Sequence, residues 1–82
     1  LQAQAAGARV IASAQAERAS DEAYRLARVG YDAGRTPLLE VLLARRGLTL
    51  AQTATLEARL ARIRAEAQLA RLSARIPFGA GP

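Results

Sequence analysis

The sequence predicts an all-α fold: an antiparallel two-helix coiled-coil hairpin that packs with further helices in an oligomer. Three observations support this. Apolar residues make up 51% of the 82 residues, and half of them are alanine, the best helix former. Apolar residues recur in steps of three and four along two long segments. A single break, at residues 34–37, separates those segments.

The break has the composition of a tight connection between helices. Gly34 can adopt the left-handed conformation that ends a helix without a Cβ penalty. Thr36 is a favourable N-cap, because its hydroxyl can accept a hydrogen bond from a free amide of the next turn. Pro37 suits the first helical position and keeps Thr36 out of the α region. A connection this short requires the two helices to lie side by side and antiparallel.

The first helix is predicted over residues 1–33. The Ser-Asp-Glu run at 20–22 could begin a new helix, but the helical pattern continues on both sides, so we expect one unbroken helix. Asp21 with Arg25 and Arg28 with Asp32 have i,i+4 spacing, which suits ion pairs. A row of small or apolar residues predicts the packing face: Ala12, Ala16, Ala19, Ala23, Leu26, Gly30 and Ala33.

The second helix is predicted over residues 37–75, and its length is typical of a coiled coil or helical array. What we call the leucine row consists of Leu39, Leu42, Arg46, Thr49, Thr53, Leu56, Leu60, Ile63, Ala67, Ala70 and Ala74. What we call the alanine row, on another face, consists of Ala58, Ala61, Ala65, Leu69, Leu72 and Ile76. Two rows predict more than one neighbouring helix, because a lone hairpin covers only one. The main helix-packing positions expected are Leu56, Leu60, Ile63, Ala67, Leu69 and Leu72.

The domain organisation predicted is a hairpin at residues 1–76, with its tip at 34–36, and a tail at 77–82. Pro77 cannot continue the helix and disfavours a helical Ile76. We expect Ile76 and Phe78 to pack back on the last turn.

Composition argues against several classes of function. The chain contains no cysteine, histidine, methionine or tryptophan, so it has no disulfide, no cysteine or histidine metal ligand and no histidine acid–base chemistry. Asp32 and Glu40 flank the break, but solvated charges are a better interpretation than a catalytic carboxylate pair. We expect no enzyme activity, catalytic residue, cofactor or metal site.

A net charge of +5 and a pI near 11.3 raise the question of nucleic-acid binding. The twelve basic residues, all arginine, are interleaved with seven acidic ones from one end of the chain to the other. Arg45 and Arg46 form the only adjacent basic pair. We therefore expect solvated helix faces and no nucleic-acid partner. No stretch reaches the roughly 18 apolar residues of a membrane-spanning helix.

The residues around the break resemble a known family. A tyrosine, a glycine three residues later, a small polar residue and a Leu-x-Val-Leu-x-Ala-Arg run occur in order: Tyr31, Gly34, Thr36, Leu39, Val41, Leu42, Ala44 and Arg45. This pattern resembles the last periplasmic hairpin of TolC-like outer-membrane efflux proteins. The return helix, rich in alanine, arginine and leucine, and the closing Arg75-Ile76-Pro77-Phe78 are most similar to the heavy-metal branch, for cobalt, zinc and cadmium or for copper and silver.

The resemblance implies a C-terminal periplasmic hairpin of a homotrimer in the outer membrane. Such hairpins form the α-barrel of an exit duct, whose tips meet a periplasmic adaptor while an inner-membrane transporter supplies energy. The adaptor-contacting tip would then be Gly34, Arg35, Thr36, Leu38 and Leu39, with Leu42 and Arg46 near the gate of the duct. The implied location is the periplasmic part of an outer-membrane protein.

Two alternatives remain at this point. The first is a generic coiled-coil assembly or scaffolding module, which shares the helices but does not account for the Tyr31–Gly34–Thr36 pattern. The second, less favoured, is a basic helical nucleic-acid binder. The chain also reads as a fragment of a longer protein, and a signal peptide, amphipathic strands and a similar earlier hairpin upstream of Leu1 would decide the family.

Overall fold

The computed structural model describes residues 2–75, and side-chain surroundings for residues 4–74. It contains two helices, α1 (Gln2–Asp32) and α2 (Leu38–Arg75), which pack against each other. Their contacts run in opposite order along the chain: Thr55 meets Ser13, while Thr36 lies on Gly30. The predicted all-α antiparallel hairpin is therefore confirmed. The predicted tail and the packing of Ile76 and Phe78 lie outside the described residues.

Helix α1 is continuous through residues 20–22, as expected. The ion pair on its outer surface differs from the expected one. Arg25 binds Glu22, three residues before it, with Nε 3.1 Å from Oε2 and Nη2 2.5 Å from Oε1. Arg28 also has a partner other than the expected Asp32: its Nη1 donates to the hydroxyl of Tyr24 at 3.1 Å. A long arginine side chain can reach acceptors three and four residues before it. The i,i+4 spacing in the sequence therefore does not determine which residue it pairs with.

The interface between the helices has an alanine-rich core. The buried side chains in the described part of the chain are small or β-branched: Ala6, Val41, Thr55 and Ala58. Half-buried residues extend the contact in steps of three and four, including Val10, Ser13, Tyr24 and Ala27 on α1 and Ala44, Leu48, Ala51, Ala61 and Ala65 on α2. No large side chain in residues 4–74 is fully buried. The pair is thin because alanine buries little surface.

The predicted packing row of α1 meets α2 at one position only. Gly30 is buried, but Ala12, Ala16, Ala19, Ala23, Leu26 and Ala33 are exposed. The contacting face instead contains Val10, Ser13, Tyr24 and their neighbours, a quarter to a third of a turn away. In a helix where alanine occurs on nearly every face, steps of three and four can be traced on several faces at once.

The two rows of α2 have different positions in the hairpin. From the alanine row, Ala58 is buried and Ala61 and Ala65 are half-buried against α1, whereas Leu69 and Leu72 are exposed. The leucine row is exposed along its whole length, including Leu56 at 58% and Ile63 at 59%. The hairpin thus covers part of one row and leaves the other uncovered.

A buried hydroxyl links the helices near their middle. Thr55 is 2% exposed, and its Oγ1 lies 3.1 Å from the carbonyl oxygens of both Ser13 on α1 and Ala51 on its own helix. Its single proton can be shared between these two acceptors. Because a buried hydroxyl needs a partner, sliding one helix past the other would leave Thr55 without its cross-helix acceptor. This contact favours one register of the pair.

Candidate functional site: the hairpin tip

The tip is a helix-ending turn built from backbone hydrogen bonds. Gly34 has φ of 75°, in the left-handed region. The Gly34 amide donates to the carbonyl of Tyr31 at 2.9 Å, and the Arg35 amide donates to the carbonyl of Gly30 at 2.8 Å. This pair of bonds is the Schellman motif, with glycine at the position that needs positive φ. Two of the last carbonyls of α1 thereby gain partners without any side chain.

The turn rests on Gly30, whose importance the sequence did not reveal. Its carbonyl accepts a second hydrogen bond, from the Thr36 amide at 3.1 Å, and the Thr36 side chain lies directly on its Cα. A Cβ on residue 30 would overlap Oγ1 of Thr36 and come 3.0 Å from its Cβ. Gly30 therefore permits the close approach of the two chain segments, and its pairing with Thr36 six residues later is the signal that could have identified it.

The start of α2 differs from the expected cap in one detail. The helix begins at Leu38, and the Glu40 amide donates to the carbonyl of Pro37 at 3.1 Å. Within residues 2–75, no amide of this first turn donates to the Thr36 hydroxyl. That hydroxyl is positioned over Gly30 instead. Thr36 stabilises the connection by packing and by its backbone amide rather than as an N-cap.

The predicted tip residues form one exposed end of the molecule. Gly34 and Arg35 are exposed, Thr36 is half-buried, and Leu38 and Leu39 are exposed by 51% and 65%. Two leucines and an arginine held on a rigid turn offer an apolar and cationic surface. Such a surface is suited to contact with another protein, since isolated leucines at this exposure gain little from the hairpin itself.

An aromatic and charged cluster lies beside the tip on α1. The guanidinium carbon of Arg28 is 5.9 Å from the centre of the Tyr24 ring, within the range of a cation–π interaction. The hydrogen bond to Tyr24, assisted by the charge of Asp32, raises the pKa of Arg28. Tyr31 and Asp32 line one groove together with Leu38 and Val41 of α2. Arg28 is thus held in place by its own helix.

No group of metal-ligating side chains is found in the part of the chain that the structure describes. Over the same residues, neither helix has a segment long and apolar enough to cross a membrane. The charged side chains with shifted pKa values, Glu22, Arg25 and Arg28, lie on the exposed surface of α1 and not in an enclosed site.

Geometry and composition together define a class: a long helical hairpin with a thin interior, an exposed apolar face and a rigid tip. The family model described as outer membrane efflux protein matches residues 1–75. The chain belongs to the outer membrane efflux protein family, whose members are components of transport channels and not enzymes. The family implies an outer-membrane efflux protein with a periplasmic helical part. The comparison with curated proteins and the comparison with solved structures each give no match.

Proposed function

We propose that this chain is the C-terminal periplasmic hairpin of a homotrimeric outer-membrane efflux duct, part of a tripartite pump. In this role α1 and α2 are two neighbouring helices of the α-barrel wall, and the tip contacts the periplasmic adaptor. An inner-membrane transporter supplies the energy. The hairpin's own contribution is passive, since it encloses a path and joins the pump components.

The observation that carries the proposal is the uncovered leucine row of α2. Its members occur in steps of three and four from residue 39 to residue 74, and all are exposed in the hairpin. A row with this spacing is the pattern by which one long helix packs against another. The face of α2 that meets α1 is a different one, so α2 has two packing faces. A helix with two such faces suits a wall in which every helix has two neighbours.

The tip assignment is supported by rigidity and exposure. The Schellman turn and the Gly30–Thr36 contact hold Arg35, Leu38 and Leu39 in a defined arrangement at one end of the rod. A preorganised surface loses less entropy on binding than a mobile loop does. The expected contact residues are those of the predicted tip, Gly34, Arg35, Thr36, Leu38 and Leu39.

A matched pair of substitutions tests both halves of the proposal in the full-length protein. Leu39 and Leu60 belong to the same row and are three heptads apart. Leu39→Asp should abolish export and adaptor binding while the trimer persists. Leu60→Asp should weaken the trimer itself, because a carboxylate then lies within the wall. Trimer content is measured on native gels and adaptor binding by co-purification. Equal effects of the two variants would overturn the division between tip and wall.

Two turn variants provide a second check. Gly34→Pro is incompatible with a φ of 75°, and Thr36→Asp replaces the side chain packed on Gly30 by a charged one. Both should lose pump function while still forming trimers. Gln52→Asp, an exposed position on α2 far from the turn, is the control and should pump normally. Normal pumping by both turn variants would refute the tip assignment.

The proposed cargo is a heavy-metal cation, on the similarity of the return helix to that branch of the family. The test is growth of a deletion strain, with and without the full-length gene, on zinc, cadmium, cobalt, copper and silver salts. Protection against one group of metals is expected. Protection only against organic compounds would place the protein in another branch and leave the duct proposal intact.

A further inference from the structure

The leucine row of α2 has charged residues on both of its flanks. Arg59 and Glu66 lie one heptad apart on one flank, and Glu57 and Arg64 lie one heptad apart on the other. All four side chains are exposed in the hairpin. In a coiled coil, charges beside the apolar row form ion pairs between the helices, and they determine the partner and its direction. The order of these four charges therefore indicates which helix fits the uncovered row.

The flanking charges are available for pairing with another helix. Glu66 contacts Arg62 on its own helix, with Oε2 3.5 Å from Nε and both side chains more than half exposed. An exposed ion pair of this kind contributes little to stability, so Glu66 can exchange Arg62 for another partner. Among the described residues, Glu57, Arg59 and Arg64 form no ion pair. A second helix can supply their counter-charges.

An antiparallel second copy supplies all of these counter-charges. In an antiparallel pair, each flank of the row meets the same flank of the other copy. When the pair is centred between residues 61 and 62, Arg59 lies beside Glu66 of the second copy. On the other flank, Glu57 lies beside Arg64 of the second copy. The two-fold axis repeats both pairs, so four pairs of opposite charge form and no like charges meet.

Other arrangements of the two copies bring like charges together. A parallel pair in register places Arg59 beside Arg64, and this repulsion offsets the attraction between Glu66 and Arg71. An antiparallel pair shifted by one heptad towards the tip places Arg59 beside Arg59 and Glu57 beside Glu57. A shift of one heptad in the other direction gives as many like-charge pairs as opposite-charge pairs. Each of these arrangements is less favourable than the antiparallel pair centred between residues 61 and 62.

A shift of two heptads towards the tip is unfavourable for a different reason. It pairs Arg45 with Glu66 of the second copy, but it also places Arg46 in the apolar row opposite Ile63. A guanidinium buried there without a counter-charge is costly.

The favoured register also matches the apolar side chains by size. Leu60 lies opposite Ile63 of the second copy, and Leu56 lies opposite Ala67, so a large side chain faces a small one on either side of the centre. Leu56, Leu60 and Ile63 are 58%, 41% and 59% exposed in the hairpin. Their burial supplies the free energy of association, while the charges select the direction and register.

We propose that two copies of this chain pair through the leucine rows of their α2 helices, antiparallel and centred between residues 61 and 62. Residues 48–75 of both helices then lie side by side over about 42 Å, at 1.5 Å per residue. The two tips point in opposite directions, whereas the tips of one duct point the same way. Dimer and duct wall therefore exclude each other on the leucine row. The dimer forms where no neighbouring hairpin of a duct is present, and it does not depend on the proposed function.

The direction of pairing is tested by a distance between spin labels in the 82-residue chain. The chain contains no cysteine, so Gln52→Cys, at an exposed position within the shared length, gives one labelling site per copy. In the antiparallel pair, the two copies of residue 52 are about 28 Å apart along the helix axis, and the labels should give about 30 Å by double electron–electron resonance. A parallel pair places both labels at the same height. A distance below about 20 Å would therefore overturn the proposal.

The register is tested by reversing charges on one flank. Arg59→Glu should weaken the dimer about tenfold in sedimentation equilibrium, because two attractive pairs become repulsive. In a parallel pair the same change would strengthen association, because the new carboxylate would face Arg64. The double variant Arg59→Glu with Glu66→Arg should recover the original affinity, since both pairs return with their signs exchanged. Circular dichroism verifies that each variant keeps its helices.

Arg45→Glu is the matched control. It makes the same change of charge two heptads before Arg59, on the same flank but outside the shared length, and should leave the affinity within about twofold. Equal dissociation constants for Arg59→Glu and Arg45→Glu would overturn the proposal, as would a double variant that does not recover. A chain that stays monomeric at millimolar concentration would also overturn it. The proposed function is tested separately, by export and trimer content of the full-length protein with Leu39→Asp or Leu60→Asp.

Discussion

Gly30 and Thr36 show how one missing methyl group determines the shape of the turn. The Thr36 side chain occupies the place that a Cβ on residue 30 would need, and both the Arg35 and Thr36 amides donate to the Gly30 carbonyl. Glycine here serves close approach, since among the described residues positive φ occurs at Gly34 alone. The two glycines of the turn have separate physical roles.

Gly30→Ala is expected to destabilise the hairpin by about 1–3 kcal/mol, because Thr36 must move away from its position. In a Thr36→Gly background the same substitution should cost much less, since the obstructing atoms are gone. The difference is a coupling energy, measured by urea unfolding followed by circular dichroism at one protein concentration. Gly7→Ala is the control, as nothing lies within 4 Å of its Cβ position. Equal costs in both backgrounds would contradict the steric explanation.

Glu22 should titrate below the ordinary pKa of a glutamate side chain. Its hydrogen bond from Arg25 lowers its pKa below the ordinary value of 4.5. Because the folded-state pKa is the lower one, the pair stabilises α1 above about pH 4.5, and this contribution is lost as the pH falls through the lowered pKa. Arg25→Gln should return the carboxyl towards 4.5 in a carbon-13 NMR titration, whereas the distant Arg9→Gln should not. An unchanged Glu22 titration in Arg25→Gln would show that the ion pair does not persist in solution.

At this scale, sequence reasoning succeeds where one residue type has one physical use. The left-handed Gly34 was predictable, because a glycine shortly before Thr-Pro, between two helical patterns, is typical of a helix end. The partner of Arg25 was not, because Asp21 and Glu22 are both within reach of a long side chain. Gly30 was predicted as a member of the packing row of α1, but its contact with Thr36 was not predicted. Its role depends on where Thr36 returns in space, and this is a property of the folded turn.

At the scale of the element, Gly47 stands in the interior of α2 without a packing reason within the hairpin. Nothing lies within 4 Å of its Cβ position, and its φ is not in the left-handed region. Nearby, the Thr49 and Thr53 hydroxyls bond to the carbonyls of Arg45 and Thr49 on their own helix. Such bonds slightly weaken a helix. Gly47 and these bonds therefore lower the intrinsic helix stability of this part of α2.

Gly47→Ala is expected to stabilise the hairpin by about 0.5–1 kcal/mol, because alanine has less backbone entropy to lose and fits the available space. Gly34→Ala provides the opposite case and should destabilise by about 1–2 kcal/mol, since it forces a Cβ into the left-handed region. Thermal unfolding of the two variants at equal concentration should give shifts of opposite sign. Shifts of the same sign would show that backbone conformation does not govern these positions.

The helices illustrate how far periodicity alone can predict. The existence of α1 and α2, and the break between them, follow from alanine content and from the Gly34–Pro37 signal. The packing face of α1 did not follow, because alanines trace rows on several of its faces. On α2 the leucines are distinct from the alanines, so two faces could be recognised. Which of these faces meets α1 was not specified, because the choice depends on how closely the two backbones approach.

At the scale of the whole molecule, the chain exposes more surface than a compact protein of its size. Its accessible surface is 6309 Å² for 8.7 kDa. A compact monomer of that mass exposes about 4,700 Å². The rod-like extents of 74 × 14 × 13 Å account for the difference. The exposed large apolar side chains include Leu39, Leu42, Leu56, Leu60 and Ile63 of the leucine row.

Covering that row is expected to drive self-association of the isolated chain. Replacing Leu56, Leu60 and Ile63 together by glutamine should yield a monomer that keeps its helical circular dichroism, since none of the three contacts α1 as a buried residue. Replacing Ala58 by glutamine, at 2% exposure, should instead separate the helices. Sedimentation velocity measures the association. Persistent oligomers in the triple variant would mean that another face holds the copies together.

The thin interior also reverses which positions should tolerate substitution. In most small proteins, large inward side chains are the sensitive ones and outward positions vary freely. Here most inward positions are alanines and hydroxyl residues that resist any increase in size, whereas most of the large side chains, such as Leu56 and Ile63, are exposed. A saturation library scored for folding of the hairpin alone should accept polar residues at Leu56 and Ile63. The same library scored for export should reject them. Positions that accept polar residues for folding but not for export would mark the surfaces that contact neighbouring helices.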